Sequence, residues 1–314
     1  MIKEILSKHV DDQKAIPVTT YIEMRKKHFP HLNEDLGFLN DYETMIVLAL
    51  SFPATQAKKL GKDYGYISRY AHGKDYHLVF EEKLDGMVAA LAKKGVSARG
   101  SSDKSIIDER FAAYLAGLGF LGHNRFLIHP TYGTHLYLAT LLVDVPFETN
   151  PHLEDSCGSC TKCIDACPTD ALAKGVFYRH RCLSHLSQDK KPIELNHLKK
   201  MNYVYGCDIC QDVCPKNQGI KPVDREIFQS DAASQLHLES ILKQSNKTLM
   251  KAYKDYAFSW RGMTVIKRNA MALLMNRNRQ ELLPLMETTK KTYEQVPWFA
   301  QTAEEIIAEM RKKT

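Results

Sequence analysis

Two apolar runs, at 45–52 and 136–143, set the framework of the first half of the chain and predict buried strands. Both are far shorter than the roughly 20 residues a spanning helix needs, so no membrane segment is expected. Residues 1–35 are more polar and read as helical, with Tyr21, Ile22 and Met24 as apolar points beside a basic cluster of Arg25, Lys26 and Lys27. From 68 to 94 the positions Tyr70, Leu78, Phe80, Leu84, Met87, Val88 and Leu91 mark a long helical region, and Gly95 ends it as a C-terminal glycine does. A short strand at 96–103 follows. Next come a helix through Ile106, Ile107, Phe111, Ala112 and Leu115, then strands at 124–129 and 132–143.

The last quarter is helical throughout, in segments near 235–255, 261–276, 279–289 and 297–313, with Pro284 and Pro297 as punctuation. Short helices in series predict an antiparallel stack, like one or two units of a helical repeat. Polar joints at 146–156, containing Pro146 and Pro151, and at 224–234 divide the chain into three domains: 1–150, 151–225 and 226–314.

Composition narrows the class: 314 residues, 44% hydrophobic and 25% charged, describe a soluble globular protein with a sizeable core. Charge adds more, because the net +6 is C-terminal: residues 235–314 carry 14 Lys and Arg against 8 Asp and Glu. Residues 256–280 contain Arg261, Lys267, Arg268, Arg277 and Arg279 and no acid, with Trp260 beside the first. That run reads either as a polyanion-binding surface or as a solvated helix face.

All eight cysteines fall between 157 and 214. Cys157, Cys160, Cys163 and Cys167 form a Cys-x-x-Cys-x-x-Cys-x-x-x-Cys-Pro run, Cys182 stands alone, and Cys207, Cys210 and Cys214 precede another Pro. Thiolates at these intervals wrap backbone round a 4Fe–4S cluster, and the Cys before Pro ligates the other cluster. Crossing assigns Cys157, Cys160, Cys163 and Cys214 to the first cluster. The second takes Cys167, Cys207 and Cys210, with Cys182 as the one thiol left. Structural zinc also uses Cys pairs spaced by two, but two zinc sites would not require two Cys-Pro endings. Disulfides are disfavoured: the opening MIKEILSKHV shows no basic-then-apolar leader, and a reducing cytoplasm is expected.

Two clusters make a wire and leave the reaction to the rest of the chain. Gly117-Leu-Gly119-Phe-Leu-Gly122 is formally a Gly-x-Gly-x-x-Gly. However, a helix precedes it and a strand follows, the reverse of a dinucleotide site. A corrinoid-ligating Asp-x-His-x-x-Gly is approached only at Asp75-Tyr-His77, where residue 80 is Phe. None of the 13 histidines shows a metal-binding spacing. By pattern alone, Asp103 reads as the N-cap of the helix after it.

The cysteine segments, together with Asp103 to Arg110, Ala116 to Gly122, Tyr132-Gly133 and Arg268-Asn269-Ala270, closely resemble epoxyqueuosine reductases over nearly the whole chain. His123 departs from the pattern, since the family usually has Lys after the glycines, and the C-terminal region is shorter than in many members. The resemblance implies an α+β architecture: a nitroreductase-like corrinoid-binding α/β domain, a ferredoxin-like two-cluster domain and a HEAT-like helical region that binds tRNA. It implies reduction of the epoxide of epoxyqueuosine at the tRNA wobble position, with two 4Fe–4S clusters feeding electrons to cobalamin.

The resemblance makes Asp103 the proton donor, with Asp144 as the runner-up, and places Arg25, Asp103, Gly122, His123, Asn124, Ser184 and Asp208 around the cofactor. Arg261, Lys267 and Arg268 are the tRNA contacts that the basic run suggests. A ferredoxin- or flavodoxin-type donor, a monomer and a cytoplasmic location complete the expectation. Two alternatives belong to other classes: a dicluster electron-transfer module, and a corrinoid reductive dehalogenase, which would carry a twin-arginine leader not seen here.

Overall fold

The computed structural model describes residues 1–32, 34–55, 58, 60–149 and 153–312. Pro151, expected in the first joint, lies outside the described residues. The chain divides into two compact units: the first comprises Met1–Phe52, Tyr76–Cys160 and Cys214–Val223, and the second Pro53–Asp75, Thr161–Val213 and Asp224–Thr314.

The first unit is built on an antiparallel sheet in the order Asp12–Pro17, Thr44–Ser51, Leu136–Val143, Ala98–Ser101. The two apolar runs are its centre, paired from Thr44 with Val143 to Ser51 with Leu136. Every residue of Thr44–Ser51 is buried, which is why that run shows no alternation. Ile16, Tyr21, Leu39, Met45, Val47, Phe111, Ala112 and Leu142 share one core.

The structure corrects two boundaries. Asp12–Pro17 is a strand between the helices Ile2–Leu6 and Val18–His28, inside the stretch expected to be helical. Pairing with Thr44–Ser51 decides its conformation, and Pro17 sits at the strand end, where its missing N–H matters least. The helix expected from 68 begins at Tyr76 and runs to Ala92. Before it, Gly73 takes φ +62°, a left-handed turn that interrupts the helical pattern.

In the second unit, Tyr64–Ile67 lies between Tyr203–Tyr205 and Gln235–His237, parallel to the former and antiparallel to the latter. The helices Leu238–Lys243, Asn246–Tyr253, Met263–Asn276, Leu283–Thr292 and Pro297–Arg311 supply most of the core. Met263–Asn276 is the central one, buried on all faces from Val265 to Met275. Among the described residues, no helix is long and apolar enough to cross a membrane.

Candidate active site and cluster ligands

All eight cysteines are free thiols. In the second unit, burial pushes Cys207 up to about 12, and Cys182 and Cys167 lie close enough to raise it further. Cys210 is raised well above the ordinary thiol value by burial and then by Cys207 and Cys182. Cys182 is raised by burial, with Cys167 adding to it. Cys167 and Cys182 thus neighbour Cys207, while Cys210 has Cys163 beside it as well as Cys207 and Cys182. In the first unit, Cys214 is raised by burial and by Cys157 and Cys160, and it packs with Cys157, Phe120 and Ile128.

Crowded thiols that are half-buried or buried hold their protons until a positive centre replaces them, so this donor set suits a metal cluster. Backbone N–H groups are already aimed at the sulfurs. Ser184 and His185 serve Cys182, Ile209 serves Cys207, and Lys216 and Asn217 serve Cys214. Hydrogen bonds to cluster sulfur are one of the means by which a protein sets the potential.

His123 belongs to this shell. Its N–H donates to Cys157 Sγ at 3.4 Å, and its Nδ1 lies 2.9 Å from the Cys160 carbonyl. Asn124, next in the chain, is 5% exposed. Its Oδ1 accepts from Phe126 N–H at 3.2 Å, while its Nδ2 is buried without a partner. An orphaned amide donor fits a ligand rich in carbonyl acceptors, and the corrin periphery is one. Gly122 is required by close packing, because a Cβ there would come within 2.6 Å of both Asn124 Oδ1 and Ile128 Cδ1.

Three residues expected at the cofactor have protein partners. Arg25 is buried and forks onto Glu34 at 3.0–3.2 Å, with Asp108 at 3.8 Å. Asp208, 1% exposed, accepts from Ser68 Oγ and from Arg69 N–H at 3.0 Å, which pins the turn between Cys207 and Cys210. Ser184 serves through its N–H to Cys182 and its carbonyl, which accepts from Ser187 and Gln188.

Asp103 lies in the loop after the Ala98–Ser101 strand, at φ +53°, a left-handed conformation that Asp tolerates better than most residues. It is not the helix cap: the helix Glu109–Leu115 is capped by Asp108, which accepts from Phe111 N–H at 3.0 Å. Three side chains converge on its carboxylate. Tyr76 Oη donates to it, His77 Nε2 is 3.3 Å away, and the Glu109 carboxyl lies beside it. The Asp103 N–H also donates to Glu109 Oε1 at 2.8 Å.

The two acids are driven apart. His77 first, then Tyr76, hold the Asp103 carboxyl, 55% exposed at its side chain, down to about 2, while desolvation and the Asp103 charge push Glu109 up to about 9. Sequence reasoning missed Tyr76, His77 and Glu109. Asp75-Tyr-His77 was weighed only as a metal-ligand motif, and its value lies in two hydrogen-bonding side chains at the start of the Tyr76–Ala92 helix.

The basic run needs a correction. Lys267 is 1% exposed, and its Nζ donates to the carbonyls of Ile241, Leu242 and Gln244 at 2.6–3.2 Å. Arg268 is fully buried and donates to the carbonyls of Leu186, Asp189 and Lys191. Neither can reach a phosphate; both tie helix and loop ends together. Arg268→Met should therefore cost about 3 kcal/mol of stability by orphaning buried carbonyls, seen as a lower melting temperature with an unchanged salt slope of polyanion binding.

Arg261 differs from these two. It is half-buried, stacks on Trp260 at 4.1 Å, and lines a groove of about 650 Å³ with Arg179, His180, His185, Lys191 and His197.

Comparison with known proteins adds independent findings. Residues 156–217 match the family model of the 4Fe-4S double cluster binding domain. Residues 37–104 match that of epoxyqueuosine reductase QueG, DUF1730. The chain is 36% identical over 259 residues to the epoxyqueuosine reductase of Staphylococcus aureus, covering 80% of this chain and 68% of that enzyme. To the Bacillus subtilis enzyme it is 34% identical over 280 residues, covering 81% and 72%.

Among solved structures, an epoxyqueuosine reductase crystallised with an epoxyqueuosine-modified tRNA-Tyr stem loop superposes with a TM-score of 0.86 at 29% identity, over 98% of this chain and 88% of that one. A Bacillus subtilis structure with its catalytic aspartate loop swung out of the active site gives 0.83 at 30% identity, over 98% and 89%.

Proposed function

The chain belongs to the epoxyqueuosine reductase family, and on that premise we propose how its own residues divide the work of turning epoxyqueuosine in tRNA into queuosine. Removing an epoxide oxygen to leave a carbon–carbon double bond consumes two electrons and two protons and releases water. Cys157, Cys160, Cys163 and Cys214 hold one 4Fe–4S cluster, and Cys167, Cys182, Cys207 and Cys210 the other. The corrinoid, when bound, supplies the electrons that the clusters pass on. Asn124 and the backbone at Gly122 are the contacts offered to it, Asn124 through its orphaned amide. A low-potential protein of ferredoxin or flavodoxin type loads the clusters, and the enzyme works as a monomer in the cytoplasm.

The observation that carries this reading is the Asp103 site, a carboxylate on a left-handed loop with Tyr76, His77 and Glu109 turned onto it. A docking module has no use for such a cluster, whereas a leaving epoxide oxygen must be protonated. Anaerobic reconstitution with iron, sulfide and cobalamin, followed by incubation with an epoxyqueuosine-bearing stem loop and dithionite, should yield queuosine. A protein that keeps both clusters, retains no cobalamin on gel filtration and forms no queuosine would be the electron-transfer module instead.

For tRNA, the groove containing Arg261 replaces Lys267 and Arg268 as the phosphate-facing surface. Its basic side chains outnumber Asp189 and Glu194, and Trp260 beside it is 58% exposed. Arg261→Gln should weaken binding of every cognate stem loop alike and lower the salt slope by about 1, as the loss of one backbone contact does. An unchanged slope would place the tRNA backbone on another surface.

A further inference from the structure

Asp103 cannot be the resting source of the proton it delivers, because Tyr76 and His77 stabilise its charged form. With a carboxyl held down to about 2, it is ionised at neutral pH. Yet the reaction needs two protons at the departing oxygen. We propose that Asp103 and Glu109 form a carboxyl pair sharing one proton, that Glu109 holds this proton in the resting enzyme, and that it passes through Asp103 to the epoxide oxygen. The proposal rests on the epoxide-reducing function given above and concerns how that site is charged.

The geometry limits the pair to one proton. The Asp103 N–H donates to Glu109 Oε1 at 2.8 Å, which sets the two carboxyl groups side by side. Two charges in such contact repel, so one oxygen keeps a proton, as in carboxyl dyads generally. Glu109 is the less exposed partner, and among the described residues no Lys or Arg is paired with it; His77 and Tyr76 bond Asp103, and the His77 charge reaches Glu109 only as a lesser influence.

The nearby cations are directed to other partners, Arg99 of the Ala98–Ser101 strand lying over the Phe38 ring at 5.2 Å. Arg25 of Val18–His28 pairs with Glu34 and Asp108, Arg110 donates to the Arg125 carbonyl, and Lys104 pairs with Glu81. The proton is therefore placed on Glu109, whose carboxyl is pushed up to about 9.

Recharging has a route. His77 also lines a cavity of about 260 Å³ whose walls include Glu81, Asp85, Arg99, Lys104 and Thr140. One edge of the imidazole meets Asp103 and the ring borders this polar space, while the Asp103 side chain is itself 55% exposed, so protons from solvent return to the pair at Asp103 directly or by way of His77. Protons thus reach the pair from solvent, rest on Glu109 and leave through Asp103. In balance, the pair gives one proton to the alkoxide formed when the first C–O bond breaks. After recharging, it gives the second to the oxygen as it departs as water.

Glu109 acts through Asp103 and is a positioning and proton-holding residue, so its test must separate chemistry from structure. Glu109→Gln keeps an acceptor for the Asp103 N–H and an N–H for its carboxylate, but cannot carry the proton. In infrared spectra of the protein without cofactors or tRNA at pH 7, the wild type should show the C=O stretch of a protonated carboxyl. That band should shift on 13C-glutamate labelling and be missing in Glu109→Gln.

Folding also takes up a proton at Glu109 between about 4.5 and about 9. Wild-type stability should therefore fall as pH rises through that window, relative to Glu109→Gln. In the loaded enzyme, single-turnover conversion by Glu109→Gln should drop at least tenfold at pH 7 and lose the decline that the wild type shows above about pH 9.

A wild type with no glutamate-dependent carboxyl band would overturn the shared proton, and so would a variant with wild-type rate and pH profile. If the band is present and wild-type enzyme converts no epoxyqueuosine, the functional reading fails while the paired proton stands.

Discussion

Asp103→Asn should keep the fold, both clusters, cobalamin and tRNA affinity, and lose conversion of epoxyqueuosine by about 10²–10⁴-fold, the share general acid catalysis ordinarily carries. The substitution is mild in every other respect. Asn adopts a left-handed φ as readily as Asp, so the +53° conformation survives. The side-chain oxygen can still accept from Tyr76 and His77. The neighbouring helix is untouched because Asp108 caps it. What disappears is the atom that takes a proton from one side and gives it up on the other.

Asp144, the other acid weighed for this role, provides the control. Its Oδ1 accepts from Ser97 N–H at 2.9 Å and its own N–H donates to the Ser97 carbonyl, an arrangement that closes the end of the sheet. Asp144→Asn should convert substrate at a near-normal rate. Single-turnover assays of the two variants on one tRNA preparation decide between them, and a collapse in Asp144→Asn with normal conversion by Asp103→Asn would reverse the assignment.

What could be read from the residues and what could not follow from how local each signal is. The cluster segments are local, since backbone wrapping round a cube dictates short intervals and a Pro after the last Cys, so spacing carried nearly all the information. The paired strands Thr44–Ser51 and Leu136–Val143 were legible because burial on both faces leaves an unbroken apolar run.

The proton site is not local. Asp103 meets Tyr76 and His77 from a helix more than twenty positions upstream, and only the fold brings them together. Lys267 and Arg268 misled because a count of charges ignores what flanks them. Val265, Ile266, Ala270 and Met271 cover the faces on either side, a pattern that marks a helix buried all round, in which a cation must bond carbonyls instead of phosphate. Asp12–Pro17 shows the same limit in the backbone, a weak strand former made a strand by its neighbour.

Cys182→Ala should remove the second cluster alone, taking reconstituted iron from about eight per chain to about four and abolishing turnover while tRNA still binds. Cys182 lies outside both Cys-Pro runs, so its role is the least constrained by spacing and the most informative to test. Its environment is that of a ligand: a half-buried thiol near Cys167, with the N–H groups of Ser184 and His185 aimed at its sulfur. Alanine leaves those N–H groups without an acceptor and the cluster without its fourth thiolate.

Cys214→Ala makes the complementary test. Cys214 is raised by Cys157 and Cys160 and packs with Cys157, Phe120 and Ile128, so its loss should remove the first cluster and spare the second. The two variants should lose different signals in the electron paramagnetic resonance spectrum of the reduced protein, and the two losses should add up to the wild-type spectrum. If Cys182→Ala retains about eight irons and an unchanged spectrum, another group completes the second cluster and the crossed assignment built on eight thiols is wrong.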